Sequence, residues 1–276
     1  MKNLRTPIGV FDSGFGGLTI LKELHEKLPN YDFIYLGDNA RTPYGTKSFD
    51  VVYTYVKEAV NKLFSMDCPL VILACNTASA KALRSIQQKD LPLMSDPTKR
   101  VLGVIRPCAE IIGTLTQSKH IGILGTTGTI NSNSYPIEIK KFFPEIQVSQ
   151  LACPMWVHLV EHNEYNTESG RHFIKQKIND LKAKDDLIDT IVLGCTHYPF
   201  LKKIIEEFAG PNIKVVAQGE IVSDSLIDYL SRHTETDQRL SKSGHTSYYT
   251  TEEATNFTEK ASRFLQKNIQ AEHIIL

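Results

Sequence analysis

Short apolar runs that end in glycine or a polar residue alternate with helix-patterned segments along this 276-residue chain. That alternation confines it to a parallel-sheet α/β architecture. The strand-like runs are 8–11 (IGVF), 33–36 (FIYL), 70–74 (LVILA), 101–105 (VLGVI), 121–124 (IGIL), 147–151 (QVSQL), 190–194 (TIVLG) and 213–217 (IKVVA). Helical spacing fills the intervals: Leu18, Leu21, Lys22 and Leu24 through Leu28, then 48–65, 77–88, 107–116, 134–143, 169–184, 199–208, 223–231 and 252–267.

The alternation repeats. IGVFDSGFGG (8–17) and IGILGTTGTI (121–130) each run from a strand into a glycine-rich turn. FIYLGD (33–38) is matched by VSQLAC (148–153), and VILACNT (71–77) by IVLGCTH (191–197). Three features in one order at nearly one spacing imply two similar α/β halves. If these face each other about a pseudo-twofold axis, the expected active site lies at their interface. The expected division is a first domain of residues 1–99 plus 218–276, carrying Asp12 and Cys75, and a second of 100–217, carrying Cys195 and His197. The polar, proline-containing segment 89–100 (KDLPLMSDPTKR) is the expected hinge. The tail 219–276, with one possible strand in TSYYTT, is expected to return to the first half.

Composition narrows the function. The 31 basic and 31 acidic residues balance, so charge makes no case for nucleic acid or a membrane surface. No apolar run is long enough to cross a bilayer. The segment MKNLRTPIGVFDSGFGG has no signal-peptide core, because Asp12 and glycines cut its apolar piece. A cytoplasmic protein is expected. The five cysteines, Cys68, Cys75, Cys108, Cys153 and Cys195, contain no C-x-x-C pair. Neither a disulfide framework nor a structural metal site is expected from them.

Two of these cysteines share a setting. Cys75 and Cys195 close apolar strands, and ligands of open parallel sheets bind beyond the carboxyl ends of strands. Capping residues Asn76 and Thr77 follow the first. Thr196, His197, Tyr198 and then Pro199, suited to a first helical turn, follow the second. Each thiol therefore precedes a helix N-terminus, where free N–H groups can hold a carboxylate and lower a thiol pKa. A lone cysteine here would read as buried packing; two in equivalent positions read as a functional pair. Thiols facing each other across a cleft suit inversion at a carbon next to a carboxylate, one removing a proton and the other returning one on the opposite face.

The segments FDSGFGGLTILKEL, YLGDNARTPYG, ILACNTASA, LGTTGTINSNSY, ACPMWVHLVE and LGCTHYPFL together resemble the glutamate racemases of the cofactor-independent aspartate/glutamate racemase superfamily. The likeness runs from residue 8 to about 201. It implies two α/β domains with the active site between them, no pyridoxal phosphate, no metal and no other cofactor. It further implies interconversion of L- and D-glutamate for bacterial peptidoglycan, and a homodimer. By this resemblance Cys75 takes the proton from D-glutamate and Cys195 from L-glutamate. Asp12 matches the carboxylate beside the first thiol, and His197 with Glu161 the groups beside the second. Ser13, Pro43, Tyr44, Gly45, Asn76, Thr77 and Thr196 match substrate contacts, as do Asp12 and His197. His158 stands where the family pattern has proline.

Read from the residues alone, several of these positions have plainer alternatives. Asp12 fits a turn or cap aspartate, His197 a capping histidine, Tyr44 turn packing and Glu161 a solvated helix residue. Asp38 reads as a loop holder, and Cys68, Cys108 and Cys153 as structural. The glycines of DSGFGG lack the spacing of a phosphate loop and permit close approach to a small ligand. Competing activities are racemization or isomerization of aspartate, a hydantoin or maleate, and amide hydrolysis by a Cys195–His197 pair. The hydrolase reading leaves Cys75 without a role.

Overall fold

The computed structural model describes residues 6–276. The strands, in chain order, are β1 (Ile8–Asp12), β2 (Phe33–Gly37), β3 (Leu70–Leu73), β4 (Arg100–Gly103), β5 (His120–Gly125), β6 (Gln147–Ala152), β7 (Thr190–Gly194), β8 (Lys214–Val216), β9 (Thr246–Thr250) and β10 (Ala271–His273). They form two sheets, ordered β10-β9-β2-β1-β3-β4 and β6-β5-β7-β8. Every pairing is parallel. The inner order β2-β1-β3-β4 of the first sheet is reproduced by β6-β5-β7-β8 in the second. Each of the three sequence matches links strands at equivalent places in that order.

The chain divides into two compact units: residues up to Val104 with Gly219–Leu276, and Ile105–Gln218. Arg100–Gly103, expected in the second half, pairs with β3 through Leu70↔Arg100 to Leu73↔Gly103. The chain therefore passes between units at 104/105 rather than at 99/100. Segment 89–100 is accordingly no hinge between halves; it connects β3 to β4 within the first unit. The helix expected over 77–88 instead runs Asn76–Lys81 and Leu83–Ser85, then widens into a π turn over Ile86–Asp90. Pro92 follows, and proline stops an α-helix.

In the first unit, alternate strand residues enter two different cores. Ile8, Val10, Phe33, Tyr35, Leu70 and Ile72 pack with Leu18, Leu21 and Leu24 of the helix Leu18–Lys27, and with Val222, Leu226 and Phe257 from the tail. Phe11, Leu36, Val71, Leu73 and Cys75 pack with Val52, Val56, Ala59 and Leu63 of the helix Phe49–Ser65. The period of two thus sends successive residues to opposite faces, both covered by helices. Each such Leu, Val or Phe contributes about 1.5–3 kcal/mol when fully buried. Side-chain caps begin the helices: Ser48 Oγ accepts from the amide of Val51, and Thr167 Oγ1 from that of Gly170.

The tail supplies two strands, one unforeseen. TSYYTT forms β9 beside β2. Beyond it β10 pairs with β9, with Glu272 and His273 exposed. An edge strand of that composition carries no apolar alternation to read. Among the described residues, no helix is long and apolar enough to cross a membrane.

Candidate active site

Cys75 stands two residues beyond β3, buried, and its sulfur accepts the amide of Ala78 at 3.4 Å. The cysteine itself therefore caps the helix Asn76–Lys81, where the sequence suggested Asn76 and Thr77. Those two are buried in the helix's first turn. Ser13 Oγ lies 3.4 Å from the Cys75 sulfur, supplied by the neighbouring strand end. Asp12 ends β1 fully buried, and its Oδ1 accepts the amide of Gly14 at 2.9 Å. Gly17 makes room for it: a Cβ there would stand 2.5 Å from Asp12 Cβ.

Asp38, at the end of β2, organises the next loop. One carboxylate oxygen takes Arg41 Nε at 2.7 Å and the Tyr44 hydroxyl; the other takes Thr251 Oγ1 at 2.8 Å. The Asp38 amide donates to the Asp12 carbonyl at 2.9 Å. Tyr44 is buried, and burial together with Asp38 holds its phenol far above the usual range. Its hydroxyl thus serves the loop, while Pro43 and Gly45 beside it are half-buried and the Thr42–Pro43 peptide is cis. Arg41 and Thr251, the loop's other anchors, were not singled out from sequence. Thr251 lies 213 residues from Asp38 and left no local signal.

In the second unit Cys195 follows β7, buried, with Thr196 and His197 buried after it. A 3₁₀ turn, Tyr198–Leu201, precedes the helix Lys202–Ala209, so this thiol stands before a tight turn rather than directly capping an α-helix. The Cys195 sulfur lies 3.9 Å from His197 Nδ1, and His197 Nε2 lies 3.1 Å from Glu161 Oε1. Burial alone pushes the imidazole down. Hydrogen bonds and charge attraction from Cys195 and Glu161 outweigh it and raise His197 to about 10. At neutral pH the ring is an imidazolium between the Cys195 sulfur and the Glu161 carboxylate.

Glu161 is therefore no freely solvated residue; it ends the helix Met155–Glu161 turned toward His197. That helix buries Trp156, Val157, Leu159 and Val160. His158, at the proline position, sits exposed on its other face. Burial pushes the Cys68 and Cys108 thiols up to about 12 and raises Cys153 as well, so none is prone to ionise near neutrality. Among the described residues no group of three or more His, Cys, Asp or Glu could hold a metal ion.

Two sheets with the same inner order, each with a buried cysteine just past its third strand, define a duplicated α/β protein. The sequence profile described as Asp/Glu/Hydantoin racemase matches residues 8–222, and the chain belongs to that family. It is 39% identical to the glutamate racemase of Streptococcus mutans, over 98% of both chains. Its structure is similar to a glutamate racemase isoform of Bacillus anthracis, with TM-score 0.89, 33% identity and 98% of each chain covered. It is also similar to the glutamate racemase of Francisella tularensis solved with D-glutamate, with TM-score 0.85, 31% identity and coverage of 99% and 98%.

Proposed function

We propose that this protein interconverts L- and D-glutamate by two-base proton transfer at the α-carbon, with no cofactor. The thiolate of Cys195 removes the α-proton of L-glutamate. The electron pair left on carbon delocalises into the α-carboxylate, and the thiol of Cys75 delivers a proton to the opposite face. The reverse path starts from D-glutamate with the Cys75 thiolate. Each turnover leaves one thiol newly protonated and the other ionised, so both must exchange protons with solvent before the next. The His197 imidazolium, backed by Glu161, donates a proton to the Cys195 thiolate left by the D-to-L direction and regains one from solvent; after the L-to-D direction the Cys195 thiol gives up its proton to solvent. Asp12 and Ser13 serve the Cys75 side. Asn76, Thr77 and Thr196, with the loop of Pro43, Tyr44 and Gly45, hold the substrate.

The observation that supports this most is the equivalent placement of Cys75 and Cys195 after β3 and β7. A single-nucleophile hydrolase gives no reason for that duplication. Incubation with L-glutamate in deuterated water tests the reading. α-Deuterium incorporation with loss of optical activity is expected, and ammonia release without inversion would replace it with hydrolysis. Equal or faster turnover of aspartate would reassign the substrate. The same reading places the enzyme in the cytoplasm as a homodimer supplying D-glutamate to bacterial peptidoglycan. Sedimentation equilibrium tests the dimer, and rescue of a D-glutamate auxotroph tests the role.

A further inference from the structure

The carbonyl of Cys153 is shared by two elements. It accepts the amide of Trp156, in the first turn of the helix that ends at Glu161, at 3.1 Å. It also accepts the hydroxyl of Tyr198, the residue after His197, at 2.8 Å. The two rings meet edge to face, with centroids 5.0 Å apart and planes at 65°. Both side chains are wholly buried. The Tyr198 amide in turn donates to the Cys195 carbonyl at 3.1 Å. One backbone oxygen and one aromatic pair thus join the turn that presents Cys195 and His197 to the helix that presents Glu161.

We propose that Tyr198 and Trp156 are positioning residues that hold Glu161 in register with His197, and so set the proton-transfer step assigned to Cys195. Glu161 lies five residues beyond Trp156, about 7.5 Å along a helix at 1.5 Å per residue. A small tilt at the Trp156 end is therefore carried to the carboxylate. The 3.1 Å contact between Glu161 and His197 has little tolerance, because hydrogen bonds weaken steeply with misalignment. The two aromatics contribute differently. Trp156 Nε1 has no hydrogen-bond partner, so its indole acts through shape. Tyr198 acts through its hydroxyl as well as its ring.

This inference rests on the racemase reading for its kinetic test but not for its structural one. Tyr198→Phe keeps the ring and removes the clasp to Cys153; Trp156→Phe alters the ring contact and removes no hydrogen bond. Ile178→Val, at a fully buried position in the same unit, controls for destabilisation alone. Racemization has an equilibrium constant of one, so kcat/KM for the two enantiomers must stay equal in every variant. The substrate deuterium isotope effects need not. For Tyr198→Phe we expect kcat about tenfold lower, in line with the cost of small misplacements at reacting groups, and KM nearly unchanged. The isotope effect should rise with α-deuterated L-glutamate and not with α-deuterated D-glutamate. Glu161→Gln should show the same asymmetry, and Ile178→Val should show none.

In parallel, NMR of ring-labelled histidine, assigned with His197→Asn, should show His197 losing its proton at lower pH in Tyr198→Phe. Cys195 and Glu161 are the groups whose charge acts on it. If both aromatic variants lower Tm like Ile178→Val and leave the isotope effects and the His197 resonance unmoved, they are packing residues and the proposal is overturned. If Glu161→Gln itself produces no asymmetry, the assignment of Cys195 to L-glutamate fails instead. The positioning proposal then stands or falls on the His197 resonance.

Discussion

The amide of Ala78 donates to the sulfur of Cys75 at 3.4 Å, so the proposed base of the first unit is also the cap of the helix behind it. The two roles separate by substitution. Serine is a preferred cap, and Cys75→Ser should keep Tm close to wild type. Cys75→Ala should lose about 1 kcal/mol, or roughly 2–4 °C for a chain of this size. Both should lose ~10²–10⁴-fold in racemization, the usual worth of a general base, followed by circular dichroism of L-glutamate. Full activity in the serine variant would remove Cys75 from the chemistry.

His197 gives a pH signature. Its proton affinity is raised from 6.5 in the unfolded chain to about 10 in the folded one. Stability from the charged ring is thus fully present below about pH 6.5 and is lost as pH rises through 10. The difference in urea-unfolding free energy between wild type and His197→Asn should shrink across that window by on the order of a few kcal/mol. Glu161→Gln should narrow the window from above. A difference independent of pH would mean that the ring is neutral in the native protein.

The cysteines were legible because each ends an apolar run, and an apolar run before a glycine or polar residue marks the end of a parallel strand. The duplication was legible for the same reason: β1 and β5, β2 and β6, and β3 and β7 carry their signals in the same order. What escaped was made by contacts distant in sequence. Thr251 reaches Asp38 across 213 residues, and β10 is recruited by β9 rather than by its own composition. From its own residues Glu161 reads as solvated, because a helix pattern shows which face is polar, not that a histidine 36 residues on comes to meet it; only the family resemblance set it beside His197. The boundary at 99/100 went astray because a polar, proline-containing loop marks a connection without saying which two elements it connects.

A buried carboxylate just before β2 gives an acid signature. Asp32 Oδ1 accepts the amides of Ser243 and His245 at 3.0 and 2.8 Å and the Ser243 hydroxyl at 2.8 Å, fastening the loop that enters β9. Burial works to raise its pKa, but these bonds and the Ser241 hydroxyl prevail and lower it to about 2. Its contribution is therefore present above pH 3.8 and lost as pH falls through 2. Asp32→Asn should cost on the order of 2 kcal/mol at pH 7 and almost nothing at pH 2, read by urea unfolding at both. An equal cost at the two values would show that the charge is immaterial there.

Gly17 has an ordinary helical φ of −60°, so its lack of a side chain serves space rather than backbone freedom. A Cβ would lie 2.5 Å from Asp12 Cβ and 2.9 Å from its Cγ, and Asp12 is fixed at the end of a fully buried strand. Gly17→Ala should gain the few tenths of a kcal/mol that reduced unfolded-state freedom provides. It should lose more to the clash, for a net destabilisation of about 1–3 kcal/mol. Because Asp12 must move off the Gly14 amide, kcat should also fall, by about ten- to a hundredfold. Asp12→Gly removes the colliding atom, so Gly17→Ala should cost little stability in that background. The double-mutant cycle should then show coupling of about 0.5–3 kcal/mol. Strictly additive unfolding free energies would mean that the helix beginning at Leu18 yields instead, and that Gly17 plays no part in placing the Asp12 carboxylate.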